Sequence, residues 1–156
     1  KYLGKLWLLS AEDERLGITI IEQYKEDASE CTAEIKADVV LIDAPCSGSG
    51  TFSKKPDIKW KREIEDIYKL NNIQKDILRN APNLIKEDGA IVYSTCSIEP
   101  EENTLMAEWF LNTFPEFKID PAENYLPAEV CKDGYMQTFP NIHHTDGAFA
   151  VRFIKK

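Results

Sequence analysis

The sequence predicts an α/β fold in which helices connect the strands of a mostly parallel sheet. Residues 39–42 and 90–95 are two short apolar runs rich in β-branched side chains, and a loop segment follows each of them. Such runs are typical of strands that are covered on both faces. Between them, residues 62–86 carry apolar side chains at helical spacing. A parallel crossover needs a segment of this length, so we expect the two strands to be neighbours.

The residues before this pair continue the alternation of helices and strands. A helix is predicted over residues 11–16, where Gly17 ends it. A β-branched strand at 18–21 follows and ends near Asp27. The apolar run 3–9 is too short to be assigned to either type.

The residues after the pair predict one more helix and a closing strand. Pro100 and the carboxylates beside it are suited to the first turn of a helix, which continues to about Phe114. Residues 117–120 predict a short strand, 121–141 a loop region, and 148–154 the last strand of the sheet.

The composition indicates one domain over residues 1–156, with 43% hydrophobic and 29% charged residues and no interdomain linker. The 19 basic and 27 acidic residues give a net charge of −8, so a nucleic acid would have to be bound by a local basic patch. Neither a membrane span nor a signal peptide is recognisable, which indicates a cytoplasmic protein. The four cysteines lie far apart without a C-x-x-C pair, which argues against a metal site and predicts free thiols.

The loop at residues 43–50 is the first candidate for chemistry. Asp43 ends the strand, Pro45 fixes the backbone, and the glycines at positions 48 and 50 allow turns that other residues resist. Asp43 and Cys46 are therefore held at the carboxyl end of a strand, which is where open α/β sheets bind ligands.

A second thiol, Cys96, follows the second strand of the pair. If the strands are neighbours, Cys46 and Cys96 open onto the same crevice. A helix that begins near Glu99 would place partial positive charge beside Cys96 and favour its thiolate, the form that acts as a nucleophile. Spacing does not decide which of the two thiols attacks. Cys31 and Cys131 have no such context and are interpreted as structural residues.

A basic segment lies between the first loop and the crossover helix. It combines one aromatic side chain with five cations: Lys54, Lys55, Lys59, Trp60, Lys61 and Arg62. Because this patch opposes the acidic average, we expect it to hold RNA phosphates and an unstacked base. The alternative is an ordinary charged loop in solvent.

Three segments together resemble RNA (cytosine-5) methyltransferases of the RsmB/Fmu type. They are Asp-Ala-Pro-Cys-Ser-Gly-Ser-Gly at 43–50, Tyr-Ser-Thr-Cys-Ser-Ile-Glu-Pro-Glu-Glu-Asn at 93–103 and Thr-Asp-Gly at 145–147. The stretch at 54–60 and the Gln74-x-x-Ile77-Leu78 pattern fit as well, and the resemblance runs from about Arg15 to the C-terminus. It implies a class I, Rossmann-like methyltransferase sheet that uses S-adenosylmethionine.

The resemblance also implies a role for each site residue. Cys96 would add to C6 of cytosine, Asp43 would act beside N3, and Cys46 would assist the release of product from Cys96. Asp27, Asp43 and Pro45 would contact the cofactor, although Asp27 is equally well explained as an exposed loop acid. The substrate would be a single-stranded or extruded cytosine in ribosomal or transfer RNA, and the setting nucleolar in a eukaryote.

The sequence lacks the glycine-rich cofactor turn of class I methyltransferases and the first strands of the sheet. We therefore expect the C-terminal part of a catalytic domain, with weak binding of S-adenosylmethionine and an exposed sheet edge. That edge would associate with the missing N-terminal part or with a second copy. The runner-up interpretation is a non-catalytic remnant that binds RNA or a partner. An amino-group methyltransferase is disfavoured because a thiol stands in place of its Pro-Pro-aromatic loop.

Overall fold

The computed structural model describes residues 3–32, 34, 36–61 and 63–156. Its helices, in chain order, are α1 (Leu3–Leu16), α2 (Ile58–Lys61), α3 (Ile64–Asn80), α4 (Thr104–Thr113) and α5 (Pro140–His143). Its strands are β1 (Ala37–Asp43), β2 (Ile85–Thr95), β3 (Phe117–Asp120), β4 (Cys131–Lys132), β5 (Tyr135–Thr138) and β6 (Ala148–Lys155). Within these residues, no helix combines the length and the apolar character that a membrane crossing requires.

The six strands form one mixed sheet in the order β1-β2-β6-β5-β4, and β3 also pairs with β6. β1 and β2 are parallel neighbours, as predicted, with α3 as their crossover. The prediction of a mostly parallel sheet is wrong for the described residues, because the other four pairings are antiparallel. The physical reason is the connections: β4, β5 and β6 follow one another through short segments, which cannot make a parallel crossover.

α3 is the element that brings the two predicted strands side by side. Its N-terminus is closed by a capping box in which Glu63 and Asp66 each bond the backbone of the other. The helix ends at Asn80, where a short 3₁₀ turn containing Pro82 leads into β2. The chain thus enters β2 parallel to β1, and both strands end at the same edge of the sheet.

The segment after α1 differs from its prediction. α1 ends at Gly17, as expected, because a φ of 67° there suits glycine. Residues 18–21, however, form no strand, and Ile20 is 90% exposed. A β-branched run is stable as a strand only when another strand accepts its hydrogen bonds, and this run has no such neighbour within the described residues.

A small hairpin lies in the region that was predicted as a loop. β4 and β5 are joined by Asp133 and Gly134, whose φ values are 55° and 82°. Two positive φ values define the tight turn that Asp-Gly favours between antiparallel strands. The dipeptide was therefore a signal that the sequence prediction missed.

The core lies where α3 and α4 pack on β2 and β6. Phe110 of α4 is fully buried and contacts Phe117 and Phe153, with ring centroids 5.3 and 4.4 Å apart. β1 is different, because Val39 and Leu41 are 52% and 68% exposed. These two side chains and Asp43 share what we call the outer face of β1. The prediction that both faces of this strand are covered is wrong for the described residues.

Candidate active site

The two thiols lie together at the ends of β1 and β2. The strands pair in register up to Asp43 and Ser94, and the Ala44 N–H donates a further hydrogen bond to the Ser94 carbonyl at 2.9 Å. The chains leave the sheet side by side, and the sulfurs of Cys46 and Cys96 are 3.3 Å apart. Cys96 is exposed and Cys46 is half-buried. The two thiols therefore lie next to each other, as expected from neighbouring strands.

The two sulfurs have different electrostatic surroundings. Burial, together with the adjacent Cys96 sulfur, raises the pKa of Cys46 to about 12. Cys46 is thus a protonated thiol at neutral pH and can donate its proton in a hydrogen bond to the Cys96 sulfur. The Cys96 N–H in turn points at the Cys46 sulfur, at 3.4 Å. The predicted helix start near Glu99 is a 3₁₀ turn, and α4 begins only at Thr104, so the helix-dipole argument for Cys96 loses its structural basis.

Close backbone contacts require glycine at two positions behind the thiols. The Gly50 N–H donates to the Cys96 carbonyl at 3.0 Å, and the Gly147 N–H donates to the Gly50 carbonyl at 2.8 Å. A Cβ on Gly50 would lie 2.1 Å from the Gly147 oxygen, a distance that no side chain tolerates. The Thr-Asp-Gly segment near the C-terminus is therefore bonded directly to the loop of the first thiol.

A fully buried carboxylate supports the loop of Cys46. Glu102 accepts hydrogen bonds from the Ser47 N–H at 2.8 Å and from the Ser47 hydroxyl at 2.6 Å. Gln74, also fully buried, donates to Glu102 at 3.2 Å and to the Pro45 carbonyl at 2.9 Å. Sequence reasoning interpreted Glu102 only as a helix-start residue. A signal was available in Gln74, a polar residue four positions before the buried Leu78 on the same helix face.

The next residue, Asn103, supports the loop of Cys96 in the same way. It accepts the Thr95 hydroxyl at 2.6 Å and donates to the Ser97 carbonyl at 2.9 Å. The buried hydroxyl of Ser97 lies 3.2 Å from those of Ser47 and Ser49, and so connects the two loops. Each thiol therefore sits on a loop with its own buried polar anchor.

The residues predicted to bind the cofactor lie around one edge of β1. Asp43 and Pro45 are exposed there, and Asp43 lines a cavity of about 320 Å³ together with Ala28 and Cys31. Asp27 is exposed and accepts hydrogen bonds from the Ser29 N–H and hydroxyl. The bond from the hydroxyl lowers the pKa of Asp27. The structure thus brings the turn of Asp27 beside Asp43, while the Asp27 carboxylate itself stabilises that turn.

The turn is attached to α3 by one side chain. The Asn80 amide donates to the Cys31 carbonyl at 2.8 Å and to the Ala28 carbonyl at 3.2 Å. Cys31 therefore belongs to a structural contact, in agreement with its interpretation from sequence.

The basic segment surrounds a second cavity, of about 640 Å³, lined by Lys54, Lys55 and Lys61 with the intervening 56–58. Trp60 is 83% exposed, and the Lys59 ammonium lies 5.4 Å from its ring centre. Two of these lysines are paired with carboxylates. Lys54 lies 2.6 Å from Asp146, and Lys61 lies 3.0 Å from Asp57. Arg62 lies outside the described residues.

The pair of Lys54 and Asp146 connects this segment to the thiol site. The Lys54 ammonium, with the Ser53 hydroxyl, holds the pKa of Asp146 below its usual range. Asp146 precedes Gly147, which is bonded to Gly50. Within the described residues there is no cluster of three or more potential metal ligands.

Comparison with known proteins assigns the family. The family model described as 16S rRNA methyltransferase RsmB/F matches residues 5–154. The chain belongs to this family. An RsmB/F chain is a methyltransferase by family, and the resemblance read from the three sequence segments is thereby confirmed.

Individual relatives of this RsmB/F chain agree with the family assignment. The chain is 37% identical over 159 residues to a probable ribosomal RNA small subunit methyltransferase B of Bacillus subtilis strain 168, covering 97% of this chain and 36% of that protein. The chain thus spans about a third of the length of curated relatives that it matches.

Solved structures support the class I methyltransferase fold. The crystal structure of PH0851 superposes with a TM-score of 0.89 at 35% identity, over 98% of this chain and 35% of that chain. A methyltransferase homolog protein from Pyrococcus horikoshii superposes with a TM-score of 0.79 at 28% identity, over 98% of this chain and 50% of that chain. The sheet of this RsmB/F chain, parallel at β1 and β2 and antiparallel beyond, is consistent with that fold.

Proposed function

We propose that this chain carries the two catalytic thiols of a methyltransferase that transfers a methyl group from S-adenosylmethionine to C5 of cytosine in RNA. The observation that supports this most directly is the pair of sulfurs 3.3 Å apart at the ends of neighbouring strands. Both the family name and the names of the relatives refer to ribosomal RNA, which favours an rRNA substrate.

Cys96 is the attacking thiol in this proposal. C5 of cytosine is a poor nucleophile, and the addition of a thiolate to C6 converts it into an enamine-like carbon. The exposed Cys96 is accessible to an extruded base, whereas Cys46 is half-buried and held protonated by its surroundings. The exposure of Cys96 and the raised pKa of Cys46 therefore favour Cys96, a choice that spacing in the sequence left open.

Cys46 acts at the end of the reaction. After C5 is methylated, solvent water takes the C5 proton, the C5–H electron pair forms the C5–C6 double bond, and the C6–S bond breaks so that the Cys96 sulfur leaves as a thiolate. A protonated Cys46 thiol at 3.3 Å can donate a hydrogen bond to the departing sulfur and stabilise its charge. Release of product thus depends on the short distance between the two sulfurs.

Asp43 and the outer edge of β1 complete the base and cofactor side of the site. S-adenosylmethionine, when bound, supplies an electrophilic methyl group. Asp43 and Pro45 are exposed one strand away from Cys96, next to the 320 Å³ cavity, so they fit a wall of its pocket. Asp43 also acts as an acid beside N3 and donates a proton to it as negative charge develops on N3 and O2 of the base. Because ligand pockets usually bury most of the ligand, this single wall predicts weak cofactor binding by the chain alone.

The basic segment is proposed to bind RNA beside the thiols. Trp60 offers an exposed ring on which an unpaired base can stack, and Lys55 and Lys59 offer exposed cations. Lys54 and Lys61 would first have to exchange their carboxylate partners for phosphates. Lys55 and Lys59 are therefore expected to contribute more to affinity than their paired neighbours.

Trapping of a covalent complex tests the proposal. RNA that contains 5-azacytidine forms a stable adduct with a thiol that has added to C6, because elimination is then blocked. The natural full-length protein, incubated with such RNA and S-adenosylmethionine, should form an adduct that mass spectrometry maps to Cys96. Binding of RNA without any adduct would instead support the non-catalytic remnant, an alternative that the uncovered outer face of β1 favours.

A further inference from the structure

Two neighbouring residues of one short turn anchor the two thiol loops separately. Glu102 and Asn103 are both fully buried, and they are adjacent in sequence. The side-chain hydrogen bonds of Glu102 go to Ser47 and Gln74, on the side of Cys46. Those of Asn103 go to the Cys96 side. Each anchor therefore bonds one of the two loops directly, while the Ser97 hydroxyl links the loops to each other.

The contacts of Glu102 leave the Cys46 backbone little freedom. Ser47, directly after Cys46, donates both its N–H and its hydroxyl to the carboxylate, at 2.8 and 2.6 Å. Pro45, directly before Cys46, accepts the Gln74 amide at 2.9 Å, and the same amide donates to Glu102. Hydrogen bonds to a charged acceptor are short and strong, and a buried polar network of this kind fixes one conformation.

A buried carboxylate is a costly way to stabilise a fold. Its removal from water is compensated only by well-formed hydrogen bonds, and an apolar replacement is often as stable. Glu102 lies far from solvent and does not reach the sulfurs, so its place in the core is better explained by what it holds than by stability alone.

We propose that Glu102, together with Gln74, is a positioning residue that keeps the Cys46 sulfur against Cys96 and thereby governs release of the methylated product. Formation of the covalent bond to C6 depends instead on the Cys96 loop and its anchor Asn103. This inference rests on the proposed function for its consequence in catalysis. The positioning itself is a property of the chain that thiol chemistry can measure without RNA.

The first experiment measures the two thiols directly. The rate of alkylation by iodoacetamide at pH 8 is followed separately for Cys46 and Cys96 by mass spectrometry of their peptides. Glu102→Gln keeps the shape of the side chain but presents an NH₂ group or a weaker acceptor to Ser47. We expect the alkylation rate of Cys46 to rise about tenfold, as a one-unit fall of its pKa would give.

Asn103→Asp is the matched control, since it is also an exchange of acid and amide at a fully buried position of the same turn. It removes the donor to Ser97 and leaves the bonds of Glu102 in place. The alkylation rate of Cys46 should change less than twofold in this variant. Equal increases in both variants would overturn the inference, because general loosening of the core would then explain them.

The second experiment separates adduct formation from release in the full-length protein, with unmodified cytosine in the RNA and S-adenosylmethionine present. Glu102→Gln should accumulate a covalent protein–RNA complex at least fivefold above wild type on a denaturing gel, while its turnover falls. Asn103→Asp should form less complex than wild type. If the amount of covalent complex and the turnover changed in the same way in both variants, the inference would be contradicted.

Two further outcomes are distinguishable. If the wild-type protein forms no adduct with 5-azacytidine RNA, the proposed function fails, and the alkylation result still decides whether Glu102 positions Cys46. If Glu102→Gln does not fold, Gln74→Met serves in its place, because it removes the amide that bonds Pro45 and Glu102 and that also accepts from Asn71. It should change the Cys46 alkylation rate in the same direction by about threefold, and no change would overturn the inference.

Discussion

The thiol end of the sheet and the outer face of β1 belong to the same strand but are built in opposite ways. Behind the thiols, Glu102, Gln74 and Asn103 are fully buried, and each makes side-chain hydrogen bonds to the loops. On the outer face, Leu41 is 68% exposed and packs against little. The comparison teaches that the described residues hold the two thiols in place through buried hydrogen bonds, while they leave one side of β1 uncovered.

The largest contrast is expected between a core residue and the outer face. Phe110→Ala removes a fully buried ring and should lower the free energy of unfolding by about 4 kcal/mol. Leu41→Ala removes an exposed side chain and should cost less than about 0.5 kcal/mol. Urea unfolding measures both. A large loss in Leu41→Ala would show that the outer face is covered in solution.

The second contrast concerns two glycines. Gly50→Ala places a methyl group 2.1 Å from the Gly147 oxygen and should cost about 3 kcal/mol, since the backbone has to move. Gly17→Ala is the control. Its φ of 67° is unfavourable for alanine, but nothing lies within 4 Å of the new atom, so the cost should be about 1 kcal/mol. Similar costs in urea unfolding would mean that the contact between the two motifs is not tight.

The third prediction uses the pKa of Cys46. Folding raises this pKa from 9.0 to about 12, so the folded state keeps a proton that the unfolded chain loses. The stabilising contribution of the neutral thiol is complete below about pH 9 and is lost as the pH rises towards 12. The midpoint of thermal unfolding of wild type should therefore fall more steeply between pH 9 and 11 than that of Cys46→Ser.

Burial, followed by the charges of Glu102 and Cys46, also raises the pKa of Tyr93. The part due to burial is common to both proteins and cancels in their difference, and the smaller part due to Cys46 belongs to the effect of the substitution. If the difference in the midpoint of thermal unfolding between wild type and Cys46→Ser stays constant from pH 8 to 11, the pKa of Cys46 is not raised by folding.

The smallest effect on stability is expected at the surface. Lys54→Ala breaks an exposed ion pair with Asp146 and should cost about 0.5 kcal/mol or less. Its effect should appear in RNA binding, where the slope of log affinity against log salt concentration should become shallower by about one, the value expected for one lost phosphate contact. Lys86→Ala breaks a similar pair with Asp38, away from the basic segment, and should leave RNA affinity unchanged. Equal losses of affinity would argue against a local RNA site.

The same comparison explains what the sequence could predict. β1 and β2 were predicted correctly because their apolar runs are long enough to be specific, and the crossover between them then placed Cys46 and Cys96 together. The prediction of a strand at residues 18–21 was wrong because a β-branched run does not reveal whether a partner strand exists. The prediction of a mostly parallel sheet was wrong for the described residues. The directions of β4, β5 and β6 depend on short connections, and most of this region was predicted as a loop.

The support of the site was harder to predict than the site itself. Cysteine and aspartate at strand ends are recognisable from local chemistry. Glu102 appeared as one more acid in a helix-start segment, since its burial depends on α3, the Pro45–Ser47 loop and α4 meeting in space. The catalytic roles of Cys96, Cys46 and Asp43 stay predictions. So do the roles of Asp27, Asp43 and Pro45 in cofactor binding and of the basic segment in RNA binding.

The register between β1 and β2 determines how far apart the two sulfurs lie. Asp43 stands opposite Ser94, and each chain continues to its thiol from that shared level. One residue of slip would displace one loop by about 3.3 Å along the strand and turn its side chains to the other face. That displacement is as large as the gap between the sulfurs. The register of the hydrogen bonds between β1 and β2 therefore keeps the sulfurs of Cys46 and Cys96 in contact.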